Sequence, residues 1–196
     1  MIGSQLSSEV DRVCKRCISF ILLLIASSFI VSCSFLKEQY PITKISGYRV
    51  DMSAYKGMNS VDHCFVGITP EEALELINDK GSAVFYLGSA SCPNCQEAVK
   101  LINEAAEDTD ITIYYLDCYS DVYPLTPYLD RFESAMGSVL PERNGEKGVY
   151  MPWLFTIKAG TPSENYCGVI NGYDGSKESD RKMIEIYKGI MEGFIK

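Results

Sequence analysis

Apolar and polar positions follow two alternating patterns along most of the chain. Short continuous apolar runs at 63–68, 82–88 and 111–117 predict buried strands, and the later two are typical of a parallel sheet covered on both faces. Between these runs, apolar residues recur at the three- and four-residue spacing of amphipathic helices, at about 70–81 and 93–106. The first part of the domain is therefore predicted to alternate strands with helices.

The second half of the chain continues with a predicted helix at about 126–139 and a loop, "PERNGEKG", that is rich in glycine and charge. Two strands at 151–160 and 164–170, joined by a turn, precede a final amphipathic helix at 177–195. This order predicts an α/β fold with a mixed central sheet flanked by helices on both faces. The closing hairpin forms its antiparallel edge, and the length fits one domain.

The N-terminal 33 residues have the pattern of an export signal. Basic residues precede an apolar stretch that is shorter than the roughly 20 residues of a membrane-spanning helix. Its end, "IVSC" at 30–33, resembles the lipobox of bacterial lipoproteins, which implies removal of residues 1–32 and lipidation of Cys33. An uncleaved anchor, or a signal in which Cys33 is incidental, are the alternatives. Residues 33–61 are then predicted to form a membrane-proximal tether and lead-in.

The charge of the chain excludes two classes of partner. With 18 basic and 26 acidic side chains the formal net charge is −8, and no basic patch stands out along the sequence. Nucleic acid is therefore not an expected partner. Charge-driven docking on anionic lipid is not expected either, so contact with the membrane would depend on the lipid at Cys33.

The number and positions of the cysteines limit which disulfides the chain can form. Two of the eight cysteines fall inside the predicted signal, where their CxxC spacing is taken as coincidence. If Cys33 carries lipid, an odd number remains, so they cannot all pair. Cys64 is expected either to pair with Cys118 or Cys167 or to stay buried, and Cys118 is expected at the same sheet end as the close pair. The five remaining cysteines are Cys64, Cys92, Cys95, Cys118 and Cys167.

The stretch "SCPNC" places Cys92 and Cys95 where an apolar strand gives way to a helix. The pair is open to three interpretations, as metal ligands, a structural disulfide or a redox-active dithiol. A zinc site needs four ligands, and His63 is the only histidine. Unpaired N–H groups at a helix start stabilise a thiolate, so Cys92 is the expected nucleophile and Cys95 the resolving residue. Pro93 suits the first helical position. Asn94 sets the polarity at the tip of the turn between the two sulfurs. Thiol–disulfide exchange at this pair needs no cofactor.

Three segments of the chain resemble the thioredoxin superfamily, and the resemblance spans most of residues 62–196. It implies a thioredoxin fold and thiol–disulfide oxidoreductase activity. It also implies that Pro152 follows a cis bond and that the Met151 backbone binds a substrate peptide as an added strand, with Trp153 beside this groove. The branch that looks most similar is the thioredoxin-like proteins that accompany bacteriocin export in Gram-positive bacteria. The three segments are "AVFYLGSASCPNC", "ITIYYLDC" and "VYMPWLFTIKAG".

Two departures from the thioredoxin pattern affect the expected chemistry. Tyr86 stands where thioredoxins have a buried aspartate, and Ser91 stands where they have a tryptophan. Without the buried carboxylate, removal of the proton from Cys95 needs water or another base, for which Asp117 and Glu97 are distant candidates. The centre therefore looks more like those of the oxidase, isomerase or glutaredoxin-like branches.

These observations lead to one principal functional hypothesis. We expect a lipid-anchored thiol–disulfide oxidoreductase on the outer face of the cytoplasmic membrane, acting on cysteines of exported proteins or peptides and recycled by a redox partner. The first alternative is a redox-inactive thioredoxin-fold binding protein, such as an export accessory or immunity factor, whose disulfide is structural. The second is an extracytoplasmic protein that lacks the lipid.

Overall fold

The computed structural model describes residues 41–195. The predicted export signal and Cys33 therefore lie outside the described residues, and their roles stay predictions. Along the described part of the chain, the strands and helices occur in the following order: β1 (Phe65–Gly67), α1 (Pro70–Asn78), β2 (Ala83–Gly88), α2 (Pro93–Thr109), β3 (Ile113–Asp117), α3 (Leu129–Met136), β4 (Glu142–Arg143), β5 (Glu146–Lys147), β6 (Trp153–Lys158), β7 (Thr161–Cys167) and α4 (Lys177–Ile195).

The central sheet has the strand order β1-β3-β2-β6-β7. The first three strands are parallel, whereas β6 runs antiparallel to β2, and β7 runs antiparallel to β6. Helices pack on both faces of this mixed sheet, and α2 begins directly after the central strand β2. This is the thioredoxin fold, and the predicted α/β architecture is confirmed.

Local sequence signals explain why α1 begins at Pro70. The Thr69 hydroxyl accepts a hydrogen bond from the Glu72 N–H at 3.1 Å, while the Glu72 carboxylate accepts one from the Thr69 N–H at 2.8 Å. This reciprocal capping box satisfies two backbone donors at the helix start. Pro70 occupies the first helical turn, where its missing N–H costs nothing.

The segment between β3 and β6 is more divided than its sequence pattern suggests. Of the predicted helix at 126–139, only the middle part, α3, is an α-helix. A short 3₁₀ turn precedes α3 and another follows it. The loop "PERNGEKG" contains the hairpin of β4 and β5, which turns at Asn144 and Gly145, both with positive φ. An Asn-Gly pair is a strong hairpin signal, so the sequence did carry the information for this hairpin.

Two clusters of buried side chains lie on opposite sides of the sheet. Alternate residues of a strand point to opposite faces, so Phe85 and Tyr86 of β2 enter different clusters. We call the side that holds Tyr86, covered by α2 and α4, the Tyr86 face. We call the side that holds Phe85, covered by α1 and α3, the Phe85 face.

Part of the predicted lead-in also packs on this core. Met52 and Tyr55 are buried in the Tyr86 face, at 0% and 3% exposure. The Thr43 N–H donates to the Ser82 carbonyl at 2.8 Å, and Tyr48 exchanges two backbone hydrogen bonds with Gly67. Residues before 62 therefore supply buried side chains to the domain. Within residues 41–195, no helix combines the length and the apolar character needed to cross a membrane.

Candidate active site

The close cysteine pair lies at the N-terminus of α2. Cys92 is the N-cap residue, with an extended backbone at φ −88° and ψ 120°, and Pro93 opens the helix. The Cys95 N–H donates a hydrogen bond to the Cys92 sulfur at 3.3 Å. The Cys92 side chain is only half-buried, so its sulfur meets both the helix dipole and the surface. This is the placement that the sequence predicted for a nucleophile.

Cys95 occupies a different environment from its partner. Its side chain is fully buried, and both cysteines are free thiols. Desolvation raises the pKa of Cys95 to about 12, and the hydrogen bond that its thiol donates to Cys92 adds to the effect. The Ser89 backbone and the Tyr86 hydroxyl act in the opposite direction and lower this pKa. Cys95 is therefore held protonated at neutral pH, behind the accessible Cys92.

A cleft of about 430 Å³ opens beside Cys92. Pro93 and Asn94 are exposed at its edge, as expected for the tip of the CxxC turn. The wall opposite α2 comes from the segment before the cis-proline and from the β4–β5 hairpin. The side chains that line the cleft belong to Cys92, Pro93, Asn94, Tyr119, Arg143, Val149, Tyr150 and Met151.

The Met151–Pro152 peptide bond is cis, as the resemblance implied. Met151 lines the cleft, whereas Pro152 is buried behind it. Sequence reasoning missed Arg143, whose guanidinium donates a hydrogen bond to the Met151 carbonyl at 3.3 Å. This guanidinium also lies over the Tyr150 ring, 4.9 Å from its centroid. The Met151 backbone is the group expected to bind a substrate peptide, and its carbonyl thus already has an intramolecular donor.

Trp153 does not lie beside the cleft, contrary to the expectation from sequence. It is fully buried in the Phe85 face, 4.5 Å from the Phe155 ring and 6.4 Å from the Phe132 ring. Its indole N–H donates to the Asn165 side chain at 3.2 Å. The physical reason is strand geometry, since Trp153 pairs with Leu87 and shares the face to which Leu87 points.

Cys118 lies at the sheet end that carries the pair, as predicted. Its N–H donates to the Gly88 carbonyl at 2.9 Å. Burial raises the pKa of Cys118, and the neighbouring Cys95, Asp117 and Cys92 raise it further. Cys64 and Cys167 are also free thiols, so neither of the pairings considered for Cys64 is formed. Across residues 41–195, no group of three or more His, Cys, Asp or Glu side chains is arranged to hold a metal ion.

The two carboxylates considered as bases for Cys95 are not in contact with it. Glu97 is exposed on α2. Asp117 ends β3 and accepts a hydrogen bond from the Tyr119 N–H at 3.0 Å. The side chain that does lie next to the buried thiol is Tyr86, which the sequence singled out as a departure from the thioredoxin pattern.

Comparisons with known proteins give distant structural likenesses and do not add a function. No protein-family model and no curated protein matches the sequence. Thioredoxin O2 from Arabidopsis thaliana is similar in structure, with a TM-score of 0.43 and 19% identity over 68% of this chain and 96% of its own. A mutant thioredoxin from Halobacterium salinarum gives 0.42 and 15% identity over 67% and 91%.

Thioredoxin from Aeropyrum pernix gives a TM-score of 0.37 and 23% identity over 61% of this chain and 85% of its own. The thioredoxin fold of the chain rests on its strand order, its helix positions and the CxxC at the start of α2. None of these structures bears on the bacteriocin-export branch, which stays a prediction.

Proposed function

We propose that the protein is a thiol–disulfide oxidoreductase that uses Cys92 as nucleophile and Cys95 as resolving residue. One observation carries the proposal. The half-buried Cys92 sulfur accepts the Cys95 N–H at a helix start, while the Cys95 thiol is buried one turn below it. An accessible sulfur at a helix start, next to a protected thiol, is the arrangement that two-step disulfide exchange requires.

The reaction takes place in two exchanges. The Cys92 thiolate attacks a substrate disulfide, forms a mixed disulfide and releases one substrate thiolate. Cys95 then loses its proton and attacks the Cys92 sulfur, which releases the second substrate thiolate and leaves a Cys92–Cys95 disulfide. Two electrons pass to the substrate, and the reverse sequence oxidises a substrate dithiol. A partner of suitable potential must restore the starting state.

The proposed substrates are cysteines of exported proteins or peptides. Support comes from the pattern of an export signal, from the lipobox-like "IVSC" and from the excess of acidic residues, which disfavours nucleic acid as a partner. The cleft beside Cys92 is open to a peptide segment, and Met151 lines it. Lipid on Cys33 would hold this cleft at the outer face of the membrane. The mass of the mature N-terminal peptide tests this anchor separately.

Variants that each replace one cysteine, made in the chain beginning at residue 34, test the activity. Cys95→Ser is expected to accumulate a mixed disulfide with a disulfide-containing peptide, detected by mass after acid quenching. Cys92→Ser should abolish this adduct. Cys64→Ser is the matched control, because Cys64 lies outside the site, and it should turn over like the parent protein.

The reduction potential distinguishes the enzyme from a binding protein. Equilibration in glutathione buffers is expected to give a Cys92–Cys95 potential above about −300 mV. A pair that stays oxidised well below that value, together with no adduct in Cys95→Ser, would identify a structural disulfide. The chain would then be a thioredoxin-fold binding protein.

A further inference from the structure

The Tyr86 hydroxyl is buried without a hydrogen-bond partner. Its side chain is fully buried, and within the described residues it is the one buried side-chain oxygen or nitrogen left unpaired. A phenylalanine would fill the same space without this cost, because an unpaired buried hydroxyl gives up its hydration and gains no bond in return. The hydroxyl therefore needs an explanation other than packing.

The surrounding side chains fix where this hydroxyl points. The Tyr86 ring stacks on Tyr115 at 5.7 Å with 20° between the planes, and it also contacts Phe65 at 5.8 Å. A Cβ added at Gly88 would lie 2.4 Å from the Tyr86 hydroxyl oxygen. The absence of a side chain at Gly88 thus leaves room for the phenol above the end of β2, beside the start of α2.

Two groups lie near this hydroxyl, the Tyr55 hydroxyl and the Cys95 thiol, and of the two only Cys95 belongs to the candidate site. Tyr86 and Cys95 belong to the same buried cluster, and the hydroxyl lowers the pKa of Cys95 against the effect of burial. The hydroxyl is not a base, because burial raises the pKa of Tyr86 well above its ordinary value. It keeps its proton at neutral pH and is available to donate.

We infer that Tyr86 is a catalytic residue of the resolving step, in which its O–H donates a hydrogen bond to the Cys95 sulfur as the thiolate forms. The inference rests on the proposed oxidoreductase function. In the mixed disulfide, the Cys95 thiol loses its proton and its sulfur attacks the Cys92 sulfur. The bond from Cys92 to the substrate breaks, and the leaving substrate thiolate takes up the proton that Cys95 gave up. Tyr86 keeps its own proton throughout.

The neighbouring tyrosines supply a control for this role. The Tyr115 and Tyr55 hydroxyls are hydrogen-bonded to each other at 3.0 Å. Tyr115→Phe thus removes a hydroxyl from the same aromatic stack, but one that is already paired and whose partner is not Cys95. Any general effect of altering the stack should appear in both variants, whereas an effect on the Cys95 thiolate should appear only in Tyr86→Phe.

The test follows the two chemical steps separately. The chain beginning at residue 34, carrying Cys64→Ser, Cys118→Ser and Cys167→Ser, is reduced and mixed with an aromatic disulfide whose released thiol is coloured. The first release reports attack by Cys92, and the second reports resolution by Cys95. The second release should be absent in Cys95→Ser, which assigns the phases. At neutral pH, Tyr86→Phe should slow the second release about tenfold or more, since hydrogen bonds to charged groups are the strong ones.

Two further readouts separate a catalytic role from a structural one. The pH profile of the second release should move to higher pH in Tyr86→Phe, and the first release should keep its parent rate. Tyr115→Phe should match the parent protein in both releases. Equal second-release rates in Tyr86→Phe and Tyr115→Phe would overturn the inference, as would equal slowing of both releases in Tyr86→Phe. Absence of the first release in the parent protein would instead overturn the proposed function.

Discussion

The two faces of the sheet are built from neighbouring residues and have opposite characters. On the Phe85 face, Phe85 stacks on Phe155 at 5.2 Å with 11° between the planes. On the Tyr86 face, Tyr86 stacks on Tyr115 at 5.7 Å with 20° between the planes. The geometry of the two stacks is similar, but only the second carries hydroxyl groups, one of which, that of Tyr86, lies near the buried Cys95 thiol.

The two faces differ in whether their tyrosine hydroxyls have hydrogen-bond partners. Tyr114, which belongs to the Phe85 face, has a hydroxyl that accepts the Ile45 N–H at 2.9 Å and donates to the Thr43 carbonyl at 3.2 Å. Tyr86, one strand away, has no such partner. The Tyr114 hydroxyl therefore contributes to stability, whereas the Tyr86 hydroxyl is the unsatisfied donor on which the inferred role in the resolving step depends.

The largest expected effect is on the stability that the Phe85 face provides. Phe132 is fully buried and contacts Trp153 and Phe155. Phe132→Ala should lower the free energy of unfolding by about 3–5 kcal/mol, because it removes apolar contacts and leaves a cavity. Activity per folded molecule should be unchanged. Chemical denaturation with a parallel activity assay checks this, and the exposed Val122→Ala should stay within about 0.5 kcal/mol of the parent.

Buried thiols and phenols on the Tyr86 face should make the free energy of unfolding decrease at alkaline pH. The folded pKa of Cys95 is about 12 against an ordinary value of 9.0, so the folded state keeps a proton that the unfolded chain releases. The contribution of protonated Cys95 to the free energy of unfolding is therefore complete below about pH 9 and is lost as the pH rises towards 12. Burial also raises the pKa of Cys118, Tyr55 and Tyr115, which act in the same direction.

Cys95→Ala isolates the contribution of that thiol. Between about pH 9 and 10, below most tyrosine ionisation, the unfolding free energy of reduced Cys95→Ala should decline less steeply than that of the parent. Urea denaturation at closely spaced pH values measures both slopes. Identical slopes would show that the folded and unfolded states ionise Cys95 alike.

Two tyrosine substitutions on one face should have opposite effects on stability. Tyr86→Phe removes an unpaired buried hydroxyl and should raise the free energy of unfolding by about 1 kcal/mol. Tyr115→Phe removes the hydrogen-bond partner of the buried Tyr55 hydroxyl, which should cost about 1–3 kcal/mol. Denaturation at pH 7 compares them. A loss of stability in Tyr86→Phe would mean that its hydroxyl has a bonding partner in solution.

The smallest expected effect concerns Cys167, a thiol that packs against the Phe85 face. Burial raises the pKa of Cys167, and the Arg143 guanidinium, 3.6 Å from its sulfur, lowers it. Arg143→Gln should therefore raise this pKa and slow alkylation of Cys167 at pH 8 about twofold to fivefold, the range for an exposed charge pair. Lys147→Gln removes a charge from the same hairpin and should leave the rate unchanged, as followed by mass spectrometry of the labelled peptide.

Much of the fold could be predicted because its signals are local. The Thr69 cap, the continuous apolar run of β2 and the periodic helix α4 all lie within short stretches, and each element formed where its pattern indicated. The segment at 126–139 was less predictable, since one helical pattern is compatible with an α-helix or with 3₁₀ turns at its ends. The hairpin at Asn144 and Gly145 was predictable from its turn residues.

The sequence by itself determined the placement of the cysteine pair. Cys92 and Cys95 are three residues apart and follow a strand, so a helix start alone brings the first sulfur to unpaired N–H groups and turns the second inward. Only the tertiary structure decided the surroundings of these sulfurs. It brought Tyr86 from β2, Tyr115 from β3 and Tyr55 from the lead-in into the buried cluster that contains Cys95, and it directed Trp153 away from the cleft. Strand alternation and packing between distant segments set those positions, and neither is encoded in any short stretch of the chain.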